Sequence, residues 1–224
     1  MRRTIEARRT ASLAVLALFI PVGGILFTLS WAALGFFSKG YTIYGAVVSS
    51  YSPLAQPISG LGLGATAPMM NLAFMVFGGL FFAVGMVGVF AASRGGGPAL
   101  SIGNALLASL PLGSFFCGVF TLQDGFAHYL SAMIAFSLPI PGFLLAGLSL
   151  RKKEATAKGL AGLLIAAGPA TLLLVAWYMS TFNPVDAGNN IGIAGLTERL
   201  LIVWVQGIFS IYGLACSRRR IAAA

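Results

Sequence analysis

The chain has 224 residues, of which 58% are hydrophobic and only 8% are charged, and its mean hydropathy is +0.92. Soluble domains carry about 25% charged residues, so this composition excludes an ordinary water-soluble domain and favours the lipid bilayer as solvent. The formal net charge of +9 lies in short clusters beside apolar segments. These clusters lack the interleaved aromatic residues of a nucleic-acid surface, so no nucleic-acid partner is expected.

Six apolar segments are long enough to cross a bilayer, which takes about 20 helical residues. The basic head 1–10 precedes the first segment, which is much longer than the apolar core of about 7–15 residues in a secretory signal. The chain is therefore predicted to form one all-α, polytopic domain over 11–216, followed by a basic tail, 217–224. The predicted spans are 11–37, 69–92, 99–120, 129–150, 160–180 and 198–216.

The distribution of basic residues predicts the orientation of these spans. Of the 14 Lys and Arg residues, only Lys39 and Arg199 lie on the outer side if both termini are cytoplasmic, and the other 12 lie inside. An excess of Lys and Arg marks the cytoplasmic side of a membrane protein. The sequence thus predicts a multi-pass protein of the cell membrane with both termini in the cytoplasm.

The outer loop predicted over 38–68 contains the least helix-like stretch of the chain. Residues 51–71, YSPLAQPISGLGLGATAPMMN, hold three Gly, three Pro and two Ser without a charge, which is typical of an ordered loop. Ser52, Ser59 and Asn71 are its candidate ligand-binding residues. The two serines do not lie in a G-x-S-x-G nucleophile pattern, and formation of turns also explains their hydroxyls.

Two pairs of ionisable residues lie near the predicted outer ends of spans. Asp124 and His128 are four residues apart, on one face if the helix has already begun, and a carboxylate beside an imidazole is an arrangement of general bases and metal ligands. Alternatively, Asp124 caps the fourth span. Glu198 and Arg199 open the sixth span. In one interpretation, Glu198 interacts favourably with the helix dipole and Arg199 extends to the lipid headgroups. In the other, Arg199 binds a phosphate or carboxylate and Glu198 orients the Arg199 side chain.

Other chemistries have little support in the sequence. One His and three outer carboxylates are a poor ligand set, so no metal and no cofactor is expected. Pro139 and Pro141 in the fourth span mark either a broken helix of the transporter type or a simple kink. The absence of charged side chains from the middle of every predicted span disfavours a proton-coupled transporter.

Three motifs together resemble the DUF998 family, a domain of unknown function. They are YSPLAQPISGLGLG with the following Asn71, the pair Asp124 and His128, and GLTERLLIVW at 195–204. The chain departs from the family pattern at Phe120, which is followed by Thr121 where the family commonly has Phe-Pro. The resemblance implies a six-helix integral membrane protein, mostly bacterial, without an established activity.

These observations lead to the hypothesis of an outward-facing polar pocket covered by the 51–71 stretch. The expected function is to bind a lipid headgroup or envelope component, or to act as an assembly partner of other membrane proteins. The alternatives are a membrane-embedded lipid hydrolase or transferase that uses Asp124 and His128, and a small-molecule transporter. The residues expected to line the pocket are Asp124, His128, Glu198 and Arg199, with Ser52, Ser59 and Asn71.

Overall fold

The computed structural model describes residues 12–48, 50–151 and 158–221 and shows an all-α polytopic fold. Six helices are long and apolar enough to span a membrane, which confirms the predicted number. The side on which the termini lie stays a prediction, and the basic head 1–10 and the end of the tail are outside the described residues. The helices are α1 Ser12–Phe37, α2 Gly64–Ala92, α3 Pro98–Val119, α4 Phe126–Arg151, α5 Lys158–Thr181 and α6 Ala194–Ile221.

Two helices begin four or five residues earlier than the sequence pattern indicates. In α2, a 3-10 turn over Gly64–Thr66 precedes the α-helix that starts at Ala67. Pro68 is tolerated there because the first turn of a helix does not need its N–H. The α6 helix begins at Ala194, four residues before Glu198. Glu198 and Arg199 therefore lie in the second turn of α6 and not at its N-terminus.

Several helices contain local breaks. The middle of α2, Phe74–Phe81, is π-helical, a deviation that is frequent at functional sites. In α4 the helix is interrupted at Leu138, directly before Pro139. This interruption divides α4 into two halves, Phe126–Ser137 and Pro139–Arg151. Proline at this position removes a backbone donor from the helix, which explains the break.

The six helices pack around a continuous apolar core. Each consecutive pair from α2 to α6 is in contact, and α6 also packs against α1 and α2. Close approach of α2 depends on glycine, because a Cβ on Gly79 would lie 2.9 Å from Cβ of Phe115 in α3. The core includes Phe82, Phe143, Phe209 and Tyr212, all nearly inaccessible to solvent.

One end of the bundle, here named the loop end, carries the two long connections 38–63 and 182–193. A hairpin of β1 Tyr41–Ile43 and β2 Ala46–Val48 opens the first connection, with Tyr41 opposite Val48 in antiparallel register. Its turn residues Tyr44 and Gly45 both have positive φ, 49° and 79°, as a tight two-residue hairpin turn requires. The second connection contains a short helix, Pro184–Gly188.

Candidate functional site

The start of α6 fastens the first connection to the bundle through Arg199. Its Nη1 donates to the carbonyl oxygens of Pro53 at 2.7 Å, Gln56 at 3.0 Å and Gly195 at 2.7 Å. Its Nη2 donates to the hydroxyl of Tyr51. Only 9% of Arg199 is exposed. The two terminal nitrogens of the guanidinium are thus occupied by acceptors of the first connection and of α6, and the sequence hypothesis that Arg199 binds a ligand anion remains a prediction.

Aromatic rings enclose the same guanidinium. Its Cζ atom lies 5.4 Å from the ring centroid of Trp31 in α1 and 5.7 Å from that of Tyr51. Both distances are within the range of a cation–π interaction. Burial raises the pKa of the Tyr51 phenol well above its usual range, although the positive charge of Arg199 opposes this shift. Tyr51 therefore stays neutral and accepts the hydrogen bond.

The second connection joins the first one through amide side chains. Gln56 Nε2 donates to the Ser50 carbonyl at 2.9 Å and to Oδ1 of Asn190 at 2.5 Å. Asn190 Nδ2 in turn donates to the hydroxyl of Ser50 at 2.9 Å. The backbone N–H of Leu196 adds a bond to the Leu54 carbonyl at 3.0 Å. The loop end is consequently a single hydrogen-bonded cover over the helices.

Glu198 points to a different surface from its neighbour Arg199. Its Oε2 accepts a hydrogen bond of 2.5 Å from the backbone N–H of Ile58. The residue is 6% exposed and lines a cavity beneath the cover. Glu198 therefore links the loop to α6 and at the same time presents a carboxylate to the cavity.

The cavity has a volume of about 330 Å³ and is mainly apolar. It lies beneath the hairpin and between the loop-end halves of the helices. All six helices and the hairpin contribute to it, and the apolar lining includes Phe27, Val48, Phe74, Leu110, Phe136 and Leu201. This differs from the expected polar pocket, because most of the helix surface that faces the cavity consists of aliphatic and aromatic side chains.

Few polar side chains interrupt this apolar lining. They are Ser59 from the first connection, Ser114 from α3, His128 from α4, and Glu198 and Gln206 from α6. Gln206 Oε1 accepts a hydrogen bond of 3.4 Å from Thr28 of α1, and Ser114 donates to the Phe74 carbonyl of the π-helical segment at 3.2 Å. The side chain of Ser59 makes no hydrogen bond with the described residues and lines the cavity, so its hydroxyl is available to a ligand.

Tyr41 and Tyr178 also line the cavity, and both lie within electrostatic reach of Glu198. Burial raises the pKa of the Tyr41 phenol to about 12, and the nearby Glu198 charge adds to the shift. Tyr41 is accordingly neutral at physiological pH and offers a hydroxyl and an aromatic ring.

The pair Asp124 and His128 does not form the expected direct contact. Asp124 Oδ2 accepts from the N–H of Thr121 at 2.6 Å and from its hydroxyl at 3.0 Å, as a capping group of the 3-10 turn Leu122–Asp124. Nδ1 of His128 is 2.6 Å from the Phe120 carbonyl. Within the described residues no hydrogen bond joins the two side chains. His128 lines the cavity, whereas Asp124 is exposed.

The two remaining candidates, Ser52 in the first connection and Asn71 in α2, form local structural hydrogen bonds. Ser52 Oγ accepts a hydrogen bond from the N–H of Ala55 at 3.4 Å, a local side-chain-to-backbone bond typical of serine in turns. Asn71 Nδ2 donates to the Gly62 carbonyl at 3.2 Å and so ties α2 to the loop. Of the seven candidates, Ser59, His128 and Glu198 line the cavity.

Sequence reasoning missed the cavity residues Gln206 and Tyr178. Gln206 had a visible signal, because it is an amide in the middle of an otherwise apolar span, where polar side chains mark interhelical bonds or binding sites. Tyr178 had none, since an aromatic residue near a membrane interface is common. For a metal site, no suitable group of three His, Cys, Asp or Glu occurs in the described ranges.

Comparison with known proteins identifies one family. The model of a family described as a protein of unknown function, DUF998, matches residues 21–215. No curated protein and no solved structure matches the chain significantly. The match includes the cavity, the 51–71 stretch and the 195–204 motif. The chain therefore belongs to the DUF998 family of proteins.

Proposed function

We propose that this membrane protein binds an amphiphilic molecule in the cavity at the loop end. The observation that carries the proposal is the combination of a largely apolar chamber with a few polar groups on its loop-end side, Ser59, His128 and Glu198. Ligand pockets are mostly apolar, with a small number of polar groups that fix the orientation of the ligand. In this arrangement the aliphatic part occupies the chamber and the head group meets Glu198.

The size of the chamber limits the ligand. Its volume of about 330 Å³ lies near the lower end of small-molecule sites, which range over roughly 300–1,000 Å³. A single aliphatic chain with a small head suits this volume, whereas a complete diacyl lipid does not. The lipid headgroup or envelope component expected from the sequence is thus narrowed to a small amphiphile or to one part of a lipid.

The packing of α4 supports entry from the bilayer. Its second half, Pro139–Arg151, packs extensively on α5, while its first half, Phe126–Ser137, contacts mainly α3 and touches α5 little. The cavity lies beside this gap. Tyr129 of α4 and Met179 of α5 line it and are 51% and 37% exposed. A ligand dissolved in the bilayer therefore has a route between α4 and α5.

Substitution of a cavity alanine tests the proposal. Ala132 of α4 lines the cavity, so Ala132→Leu reduces the space for a ligand. Ala176→Leu adds the same atoms to an exposed position of α5 and is the matched control. Each protein is purified in a mild detergent and examined by native mass spectrometry. We expect a stoichiometric small-molecule adduct on wild type and on Ala176→Leu, and loss of this adduct in Ala132→Leu.

Melting temperature in detergent, measured on the same samples, separates loss of a ligand from loss of the fold. If wild type carries no defined adduct and does not take up added alkyl compounds, binding in the cavity is refuted. Binding in the cavity is also refuted if Ala132→Leu is folded and retains the adduct fully.

The other functions expected from the sequence have less support. A hydrolase that uses the Asp124/His128 pair requires the carboxylate to orient the imidazole, whereas Nδ1 of His128 lies 2.6 Å from the Phe120 carbonyl and Asp124 accepts from Thr121. A transporter requires access from both sides, for which the break at Leu138 is the main structural support. A role in assembly with other membrane proteins stays a prediction based on the exposed helix faces.

A further inference from the structure

In the part of the chain that the structure describes, Glu198 has no ion-pair partner. Within the described residues its one hydrogen bond comes from the Ile58 N–H, at 2.5 Å, and no basic side chain lies within ion-pair distance. Its sequence neighbour Arg199 directs both terminal nitrogens to the loop acceptors. Burial of an ionised carboxylate away from water costs roughly several kcal/mol unless an opposite charge is buried with it. Glu198 is therefore a buried acid whose ionised form a cation placed beside it would stabilise.

The space beside Glu198 fits a cation on a ligand. Glu198 is more than nine-tenths buried and faces the cavity. Tyr41 and Tyr178 line the same chamber within electrostatic reach of the carboxylate. Aromatic faces attract ammonium groups. The Ser59 hydroxyl adds an uncharged acceptor on the loop side.

The polar groups of the chamber argue against an anionic head. Ser59, Ser114, His128 and Gln206 are the other polar side chains outside the tyrosines, and none of them carries a permanent positive charge. A phosphate placed there would face Glu198 without a guanidinium, because Arg199 is engaged elsewhere. Like charges at such short range in a buried site are strongly unfavourable.

We propose that the cavity selects an aliphatic ammonium compound, with the ammonium group bound to the Glu198 carboxylate and the aliphatic chain in the apolar chamber. This inference rests on the proposed function and adds the chemical class of the head group. It assigns Glu198 as the residue that determines specificity. Both a free alkylamine and the amine of an ethanolamine lipid carry this chemistry.

Three probes with the same ten-carbon chain separate head-group selection from chain binding. They are decylamine, decanol and decyl phosphate, titrated in turn by native mass spectrometry into full-length wild type, Glu198→Gln and Asp186→Asn. Glu198→Gln keeps an oxygen for the Ile58 N–H but removes the charge. Asp186→Asn makes the same change at a carboxylate of the loop end that does not line the cavity.

We expect wild type and Asp186→Asn to bind decylamine at least tenfold more tightly than decyl phosphate. In Glu198→Gln, the affinity for decylamine should fall at least tenfold, while decanol binding stays unchanged. Equal binding of the three probes to wild type, or preference for the phosphate, overturns the ammonium assignment but leaves cavity binding intact. Failure of all three probes to bind refutes the proposed function itself. The wild-type comparison decides the question even if Glu198→Gln does not fold.

Reconstitution identifies the source of the ammonium group. Decylamine is titrated into nanodiscs of phosphatidylcholine with and without phosphatidylethanolamine. Competition by phosphatidylethanolamine supports a lipid head group, and unchanged decylamine affinity supports a free amine. Weaker decylamine binding to wild type than to Glu198→Gln in both nanodiscs contradicts the proposal.

Discussion

Arg199→Met removes the central connection between α6 and the first loop while keeping a long aliphatic side chain. The substitution deprives three backbone carbonyls, those of Pro53, Gln56 and Gly195, of their charged donor. It also removes the bond to Tyr51 and the cation–π contact with Trp31. We therefore expect the loop to detach before the helices separate.

The magnitude follows from the number of bonds and the cost of burial. A hydrogen bond to a charged group contributes roughly 1.5–3 kcal/mol, so four bonds set an upper limit of about 6–12 kcal/mol. The substitution also removes the cost of burying the guanidinium, which is roughly several kcal/mol for a buried ion, and this gain offsets part of the loss. The expected net loss in the free energy of unfolding is about 3–5 kcal/mol.

Titration with sodium dodecyl sulfate measures the loss of global stability, and amide hydrogen exchange measures the local loss in the loop. Exchange of the amides over 51–58 should accelerate more than exchange in α3 or α5. Arg94→Met, at an exposed arginine of the opposite end, should change stability by less than about 0.5 kcal/mol. If Arg199→Met costs less than about 1 kcal/mol and leaves exchange of the loop unchanged, Arg199 does not anchor the loop.

Two further substitutions test the contacts around the cover. Gly195→Ala should destabilise the protein by about 1–3 kcal/mol in the same titration, because a Cβ there would lie 2.6 Å from the Pro53 carbonyl oxygen. The control is Gly207→Ala, which has open space at its Cβ and should be neutral or stabilising. Burial raises the pKa of Tyr41 from its usual 10.0 to about 12, so its contribution to stability is complete below pH 10 and is lost as the pH rises to 12. Unfolding free energies at pH 8 to 12 should fall by up to about 3 kcal/mol more in wild type than in Tyr41→Phe. An equal decline in both proteins would contradict the assigned burial.

The six helices could be predicted because their signal is local. A run of about 20 apolar residues has few alternatives to a membrane-spanning helix, and each predicted span corresponds to one helix of the structure. The hairpin Tyr41–Val48 could not be predicted in the same way. Its strands have three residues each, so its stability comes from packing of Tyr41 and Val48 with Leu63 and not from a sequence pattern.

The direct contact expected between Asp124 and His128 does not form, and the reason is local geometry. A separation of four residues places two side chains on one face only within a continuous helix. Asp124 ends a 3-10 turn, and Gly125, with φ of 51°, separates that turn from α4. The backbone direction changes between the two residues, so Asp124 caps the turn and His128 turns to the Phe120 carbonyl.

Glu198 and Arg199 show what the two most specific sequence motifs do together. Adjacent residues of a helix point in different directions, and here Glu198 lines the cavity whereas Arg199 is directed to the carbonyls of the first connection. Arg199 binds the 51–57 part of the loop motif, and Glu198 binds the next residue, Ile58, while facing the cavity. The motifs at 51–71 and 195–204 thus form one contact, in which the arginine holds the cover in place and the carboxylate is presented beneath it. A cover and a carboxylate that are held by hydrogen bonds suit the proposed binding of a small head group, because pre-ordered contacts reduce the entropic cost of binding.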